Sequence, residues 1–282
     1  MRIVNKKYRK KIKLSTICIY IACILVAAIM LIPFVWMLSA SFKAKNEIFT
    51  TPIKWIPEVF RTVNYEKIFN DIPFLTYFLN TLKITVAVTA LQLVTCSMAA
   101  YAFSKLKFPG RDKIFLAYLG TMMVPWHAIM IPQFIIIQKL GLYDSHWSLI
   151  LTGAFSAFGV FILRQNMMSI PDSLAEAAKI DGCGFWGIFS KIILPLSKTG
   201  LVTLGVLTFN NVWNDYMGPM IYLDTDTKKT IQLGLATFKR QFDTDYGAIM
   251  AGTVISLIPI VIVYAMAQKN IVEGVAFTGV KG

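Results

Sequence analysis

Residues 209–219, FNNVWNDYMGP, concentrate side chains that bind rather than cleave. Asn210 and Asn214 carry amides, Asp215 a carboxylate, and Trp213 and Tyr216 aromatic faces. Amides and carboxylates bond hydroxyl groups, and an aromatic face covers an apolar C–H surface. On a helix Trp213 and Tyr216 stand three apart, and Asn210 and Asn214 share their side. Asn210, Trp213, Asn214 and Tyr216 are therefore a candidate site for a polyhydroxylated molecule. The competing reading is an interfacial aromatic belt with Asp215 at the water boundary. Covalent chemistry finds no comparable cluster. His127 and His146 stand apart, no H-E-x-x-H or C-x-x-C occurs, and Cys18, Cys23, Cys96 and Cys183 form no ligand or disulfide pattern. No Gly-x4-Gly-Lys-Ser/Thr phosphate loop is present, so ATP binding by this chain is not expected. No catalytic, cofactor or metal residues are assigned, and an enzyme is not expected.

A second stretch, residues 171–196, reads PDSLAEAAKIDGCGFWGIFSKIILPL. It predicts a short helix, a tight turn and a second helix. Pro171 suits the start of a helix. Asp172 and Glu176 favour the positive end of its dipole. Leu174, Ala177, Ala178 and Asp181 fall on one face, and the two alanines make that face flat enough for another protein to approach. Gly182 is where the helix stops, because glycine accepts the left-handed cap. Phe185, Trp186, Ile188 and Phe189 are too apolar to stay wet. Pro195 fits the entry to the next hydrophobic span. On these residues alone, an amphipathic connector lying on a bilayer remains open.

The elements that must position both stretches are membrane helices. Of the 282 residues, 56% are hydrophobic and 15% charged, a membrane composition. Six spans are predicted, near 16–39, 74–103, 114–138, 147–168, 199–223 and 246–268, each about 20 apolar residues or more. The first is too long for a signal-peptide core and reads as a retained helix. Placing residues 1–13, 104–113, 164–198 and 269–282 on one side gives that side +12 and the other +1 of the chain's +13. Lysine and arginine excess marks the cytoplasmic side, so both termini are expected there. The basic residues flank spans instead of forming one patch, which argues against nucleic acid as the partner. They suit a lipid bilayer, with residues 1–14 as a basic arm against anionic headgroups.

Within the spans, Gln92, Thr95 and Ser97 are expected to hydrogen-bond against other helices. Pro125 and Pro132 should kink or break the third span. The domain plan is an arm (1–14), a first helix (15–40), an external loop (41–71), a five-helix core (72–268) containing the loop 171–190, and a tail (269–282).

Glu176, Ala177, Ala178, Gly182, Ile192, Leu194 and Pro195 stand at the spacing EAA-x3-G-x9-I-x-L-P. This resembles the coupling loop of permease subunits in type I ATP-binding-cassette importers. Residues 33–43, the run Trp213-Asn214-Asp215 and the ending Gln268–Gly282 resemble the carbohydrate-importer branch, although Thr278 stands where that ending has a glycine and Gly279 follows. The resemblance implies an all-α, six-span permease in a prokaryotic cell membrane. Its site residues for ATPase coupling would be Glu176, Ala177, Ala178, Asp181, Gly182, Ile192, Leu194 and Pro195. It also implies an ATPase dimer that uses ATP, a second permease subunit, an extracellular solute-binding protein reached by the loop 224–245, and a carbohydrate substrate. A non-sugar importer and an ion-coupled carrier are the alternatives. A carrier predicts buried ionisable groups at mid-membrane, and the spans hold few.

Overall fold

A computed structural model describes residues 14–239 and 244–279, with side chains for 15–239 and 244–270. The basic arm as far as residue 13, Arg240 and Gln241 of the loop 224–245, and residues 280–282 of the tail lie outside the described residues.

Helix α1, Leu14–Ser41, is apolar on every side. Its 28 residues cover about 42 Å, more than the hydrocarbon of a bilayer. Side chains such as Ile19, Ile24, Met30 and Val35 are exposed all around it, as suits a helix solvated by lipid. The chain continues through α2 (Val63–Asp71), α3 (Phe74–Lys105), α4 (Arg111–Gly120), α5 (Trp126–Lys139), α6 (His146–Gly153), α7 (Ala157–Met168) and α8 (Asp172–Ile180). Then come α9 (Phe185–Ile188), α10 (Leu194–Leu196), α11 (Lys198–Trp213), α12 (Met217–Tyr222), α13 (Ile231–Ala236) and α14 (Tyr246–Gly279). Among the described residues there is no strand.

Four stretches are long and apolar enough to cross a membrane: Ser15–Ser41, Phe74–Lys105, His146–Met168 and Tyr246–Asn270. Two bent pairs bring the total to six if each counts as one span. The first pair, Arg111–Met123 with Trp126–Lys139, bends by 97°. Its break falls at Val124 and Pro125, where proline disfavours helix in the residue before it. Pro132, by contrast, sits inside α5 without ending it. The second pair, Phe185–Leu196 with Lys198–Trp213, bends by 75°.

The predicted fifth span, 199–223, differs most from the structure. Its helix stops at Trp213, leaves Asn214–Tyr216 outside regular structure, and resumes as α12. It is also continuous at its other end with a bent helical run from Phe185. That run includes a π-turn over Phe189–Ile193. Pro195 has no N–H to give and its ring crowds the carbonyl four residues back, so a widened turn there relieves the clash.

α3 runs through the middle of the bundle against α7 and α11, and α1 lies along α14 at the edge. At one end the buried core includes Tyr101, Leu163, Met167, Ile170, Ala178 and Ile193. At the opposite end two clusters form around Ile68, Trp213 and Ile231, and around Ile84, Leu149 and Tyr222. Of the three polar groups of α3 expected to bond against other helices, two do so. Gln92 donates to the Gly153 carbonyl at 2.9 Å and Thr95 to that of Ala154 at 2.6 Å. These carbonyls are freed by the break between α6 and α7, so α3 supplies the bonds the broken backbone lacks. Ser97 bonds only within its own helix, to Val94. Gly159 lets α7 close on its neighbours, since a Cβ there would lie 2.9 Å from Cys96 Sγ and 3.1 Å from Leu204.

Candidate functional site

Segment 171–196 folds as helix, turn and helix. α8 carries Asp172 in its first turn and Lys179 in its last, both favourable to the dipole. Gly182 adopts φ +82°. Its N–H donates to Lys179 O at 3.0 Å, and Cys183 N–H donates to Ala178 O at 2.9 Å. This is a Schellman cap, which closes the open carbonyls of the helix end. The structure divides the predicted flat face. Ala178 is buried in the core, whereas Leu174, Glu176, Ala177, Asp181 and Gly182 are exposed. Neighbouring residues on a helix point about 100° apart, so Ala177 can face outward while Ala178 faces the core. Ile180 is 88% exposed at the helix tip. Ile192 and Leu194 are half-buried against the same core as Ala178, and Pro195 is exposed.

The helix is tied to the spans by residues that sequence spacing did not single out. Lys105, at the end of α3 and 5% exposed, donates to the Ile170 carbonyl and to Asp172 Oδ1, both at 2.6 Å. That bond and charge hold the Asp172 carboxyl below its usual range. Tyr101 packs on Phe189 with ring centroids 5.2 Å apart. Arg164, at the end of α7, donates to Phe103 O at 3.1 Å and to Asp112 Oδ1 at 3.2 Å, and lies 4.2 Å over the Phe115 ring. Lys105 thus joins α3 to the start of α8, and Arg164 joins α7 to α3 and α4. The sequence signal was a lysine ending one apolar run and an aspartate opening a helix 67 residues later, which no local pattern connects.

At the opposite end the four predicted binding residues separate. Asn214 donates to Asn210 O at 2.8 Å and to its Oδ1 at 3.2 Å, so these two stand together as expected. Trp213 is fully buried. Its ring stacks on Phe209 at 9°, and its indole N–H donates to Ser256 O at 3.0 Å and Oγ at 3.1 Å. In this conformation it fastens α11 to α14 and offers no face to a ligand. Tyr216 is exposed beyond the helix break.

Two cavities lie along α11 instead. One, of about 430 Å³, is lined by Trp126, Gln133, Thr152, Asn211, Asp215 and Tyr222 among others. The other, of about 580 Å³, includes Gln92, Asn210 and Asn211. They share Gly153, Asn211 and Val212, so they meet near the C-terminal end of the helix. The loop after α12 is held beside the first cavity by Asp144. Its carboxylate accepts from Lys228 Nζ at 2.8 Å, Thr225 Oγ1 at 2.5 Å, and the Asp224 and Thr225 N–H groups at 3.0 Å. The Lys228 bond leads these in holding the Asp144 carboxyl far below its ordinary range.

Residues 94–276 match the model of the family described as "Binding-protein-dependent transport system inner membrane component". The chain belongs to that family. This permease is 33% identical over 285 residues to the probable ABC transporter permease protein YurM of Bacillus subtilis (strain 168), covering 99% of this chain and 93% of the relative. It is 33% identical to the arabinooligosaccharides transport system permease protein AraQ of Halalkalibacterium halodurans, covering 91% and 93%. It is 30% identical to the lactose transport system permease protein LacG of Rhizobium radiobacter, covering 93% and 95%. A crystal structure of a bacterial ABC transporter involved in import of the acidic polysaccharide alginate contains a chain that superposes with a TM-score of 0.77 at 27% identity, covering 91% and 98%. The permease is thus a multi-pass membrane component of an ABC transport system, a transport subunit and not an enzyme.

Proposed function

We propose that this chain is a translocating subunit of an ATP-driven carbohydrate importer in the cell membrane of a prokaryote, with both termini cytoplasmic. Relatives named for arabinooligosaccharide and lactose transport support the substrate class. The observation that carries the mechanism is α8. It is a capped helix with one side locked into the core through Ala178 and the other side exposed through Glu176, Ala177 and Ile180.

Glu176, Ala177, Asp181 and Gly182 would meet one ATPase of a dimer. Ala178, Ile192, Leu194 and Pro195 would hold the segment to the bundle. Glu176 offers charge to a basic ATPase residue. When the ATPases close on ATP, α8 moves, and Lys105, Tyr101 and Arg164 carry the motion to α3, α4 and α7. The spans then alternate between facing inward and outward. A second permease subunit completes the path, and an extracellular solute-binding protein delivers the sugar at the opposite end. ATP is used by the partner subunits. Within the pathway, Asn210, Asn214 and Tyr216 remain open to the substrate side, while Trp213 supports them from behind.

The test is gentle solubilisation of the native membrane with the chain tagged, followed by mass spectrometry of what co-purifies. An ABC ATPase and a second permease in stoichiometric amounts support the reading. Recovery of the chain alone, with no ATPase, would sink it and bring the ion-coupled carrier forward.

A further inference from the structure

The cavity of about 430 Å³ lies within the ~300–1,000 Å³ range of small-molecule sites. Its wall is largely apolar, and the polar groups in it are underused. Gln133 Oε1 accepts from the Trp126 indole N–H and from the Tyr222 hydroxyl, both at 2.9 Å. An indole nitrogen only donates, so the acceptor there is the amide oxygen, and the Gln133 amide nitrogen is left as a donor. Asp215 lines the cavity, and its Oδ1 accepts from the Gly218 N–H at 3.2 Å. Asn211 is exposed and makes no side-chain bond within the described residues. Gln92 and Thr95, by contrast, spend their bonds on the backbone of a neighbouring helix. Donor, acceptor and carboxylate around an aromatic ring instead match a ligand dense in hydroxyls.

The charge of the cavity is equally specific. Asp215 is its one carboxylate, and no lysine or arginine lines it. His127, exposed, is the one lining side chain that can carry positive charge. Of the lysines beyond its rim, Lys228 pairs with Asp144 and Lys229 with Asp226. A bound carboxylate would face Asp215 with no lysine or arginine in the lining to offset it, and like charges in a partly desolvated site repel strongly.

Resting on the importer reading, we infer that this cavity is a saccharide subsite that admits neutral or amino-substituted sugar units in preference to uronic acids. Asp215 and Asn211 contact the hydroxyls, Trp126 supplies the apolar face, and Asp215 sets the charge selection.

The experiment uses the complete transporter in proteoliposomes, with Asn211→Cys or, as a second reporter, Thr152→Cys. Modification of the new thiol by a hydrophilic reagent is followed at that position by peptide mass spectrometry, so the native cysteines do not interfere. The probes are maltotriose, chitosan trisaccharide and trigalacturonate, each also tested for ATP-dependent uptake. A neutral or amino trisaccharide that is imported, at about ten times its dissociation constant, is expected to slow labelling about tenfold. Trigalacturonate is expected to give no protection, and Asp215→Asn to narrow that difference. Import of a sugar that leaves labelling unchanged at both positions overturns the subsite and leaves the importer standing. Protection by trigalacturonate equal to that by the neutral sugar overturns the selectivity. If no saccharide is imported and none protects, the carbohydrate reading falls, and this inference falls with it.

Discussion

Replacing Gly182 separates two reasons for a glycine in the segment proposed to dock on the ATPase. Its φ is +82°, and a Cβ built there meets nothing within 4 Å. Within this chain the cost of a side chain is therefore conformational and not steric. For an ordinary L-residue the left-handed region costs roughly 1–2 kcal/mol, and asparagine tolerates it better. A penalty of that size shifts a local equilibrium by about 5- to 30-fold. It falls on the cap and so on the last turn of α8, not on the membrane core. Gly182→Ala is expected to leave assembly intact and to lower sugar uptake per ATP hydrolysed several-fold. Gly182→Asn should lose less. Gly182→Pro should lose nearly all, since it forbids the φ and removes the N–H that bonds Lys179 O. Uptake and ATPase rate are measured together on the reconstituted transporter. The order Gly, Asn, Ala, Pro supports the cap. If alanine were harmless and asparagine damaging, loss would track side-chain size, and the glycine would serve close docking against the ATPase instead.

Three further outcomes follow from other parts of the molecule. Lys105→Met removes two bonds from a nearly buried cation, whereas Asp172 is 77% exposed and behaves as a surface partner worth ~0.2–1 kcal/mol. Lys105→Met should therefore lower the thermal midpoint in detergent more than Asp172→Asn, and both should lower uptake relative to ATPase. Trp213→Ala is expected to destabilise by about 3–5 kcal/mol, seen as loss of the assembled complex on heating. If it abolished uptake at unchanged stability, Trp213 would belong to the pathway after all. The Asp144 carboxyl lies below its unfolded value of about 3.9, so its contribution is complete above that value and is lost as pH falls through it toward the folded one. The thermal midpoint of the wild type should drop more steeply between about pH 5 and 3 than that of Asp144→Asn.

Much of this permease was legible because its signals are local. The apolar runs gave six segments, Gly182 gave the helix stop, and the polar groups of α3 implied partners in other helices. What escaped depends on residues far apart in sequence. Lys105 meets Asp172, Gln133 meets Tyr222, and Trp213 meets Ser256 only after the bundle closes. Trp213 shows the cost of local reasoning. Spacing put it on one helical side with Tyr216, yet the helix ends at Trp213 itself, so the side they were to share does not continue. Ala177 and Ala178 show the same limit in reverse. Both are small, but only tertiary packing decides that Ala178 is the one turned inward.

Two of the breaks in the bundle belong to one design. α4 and α5 part at Val124–Pro125, and α11 and α12 part at Asn214–Tyr216. Backbone outside a helix is tolerated at membrane depth only where protein or a water-filled cavity receives it. Trp126, just after the first break, and Asp215, within the second, line the same cavity. A straight third or fifth helix would have been simpler to build and would have satisfied its own backbone throughout. Breaking both spans beside one space brings Asp215, Asn211 and Gln133 to the lining of one cavity. At the other end, the bend after Leu196 couples α11 to the segment that carries α8. One continuous stretch of chain thus runs from the exposed α8 to the polar cavity, and a rotation of the first would have a covalent route to the second.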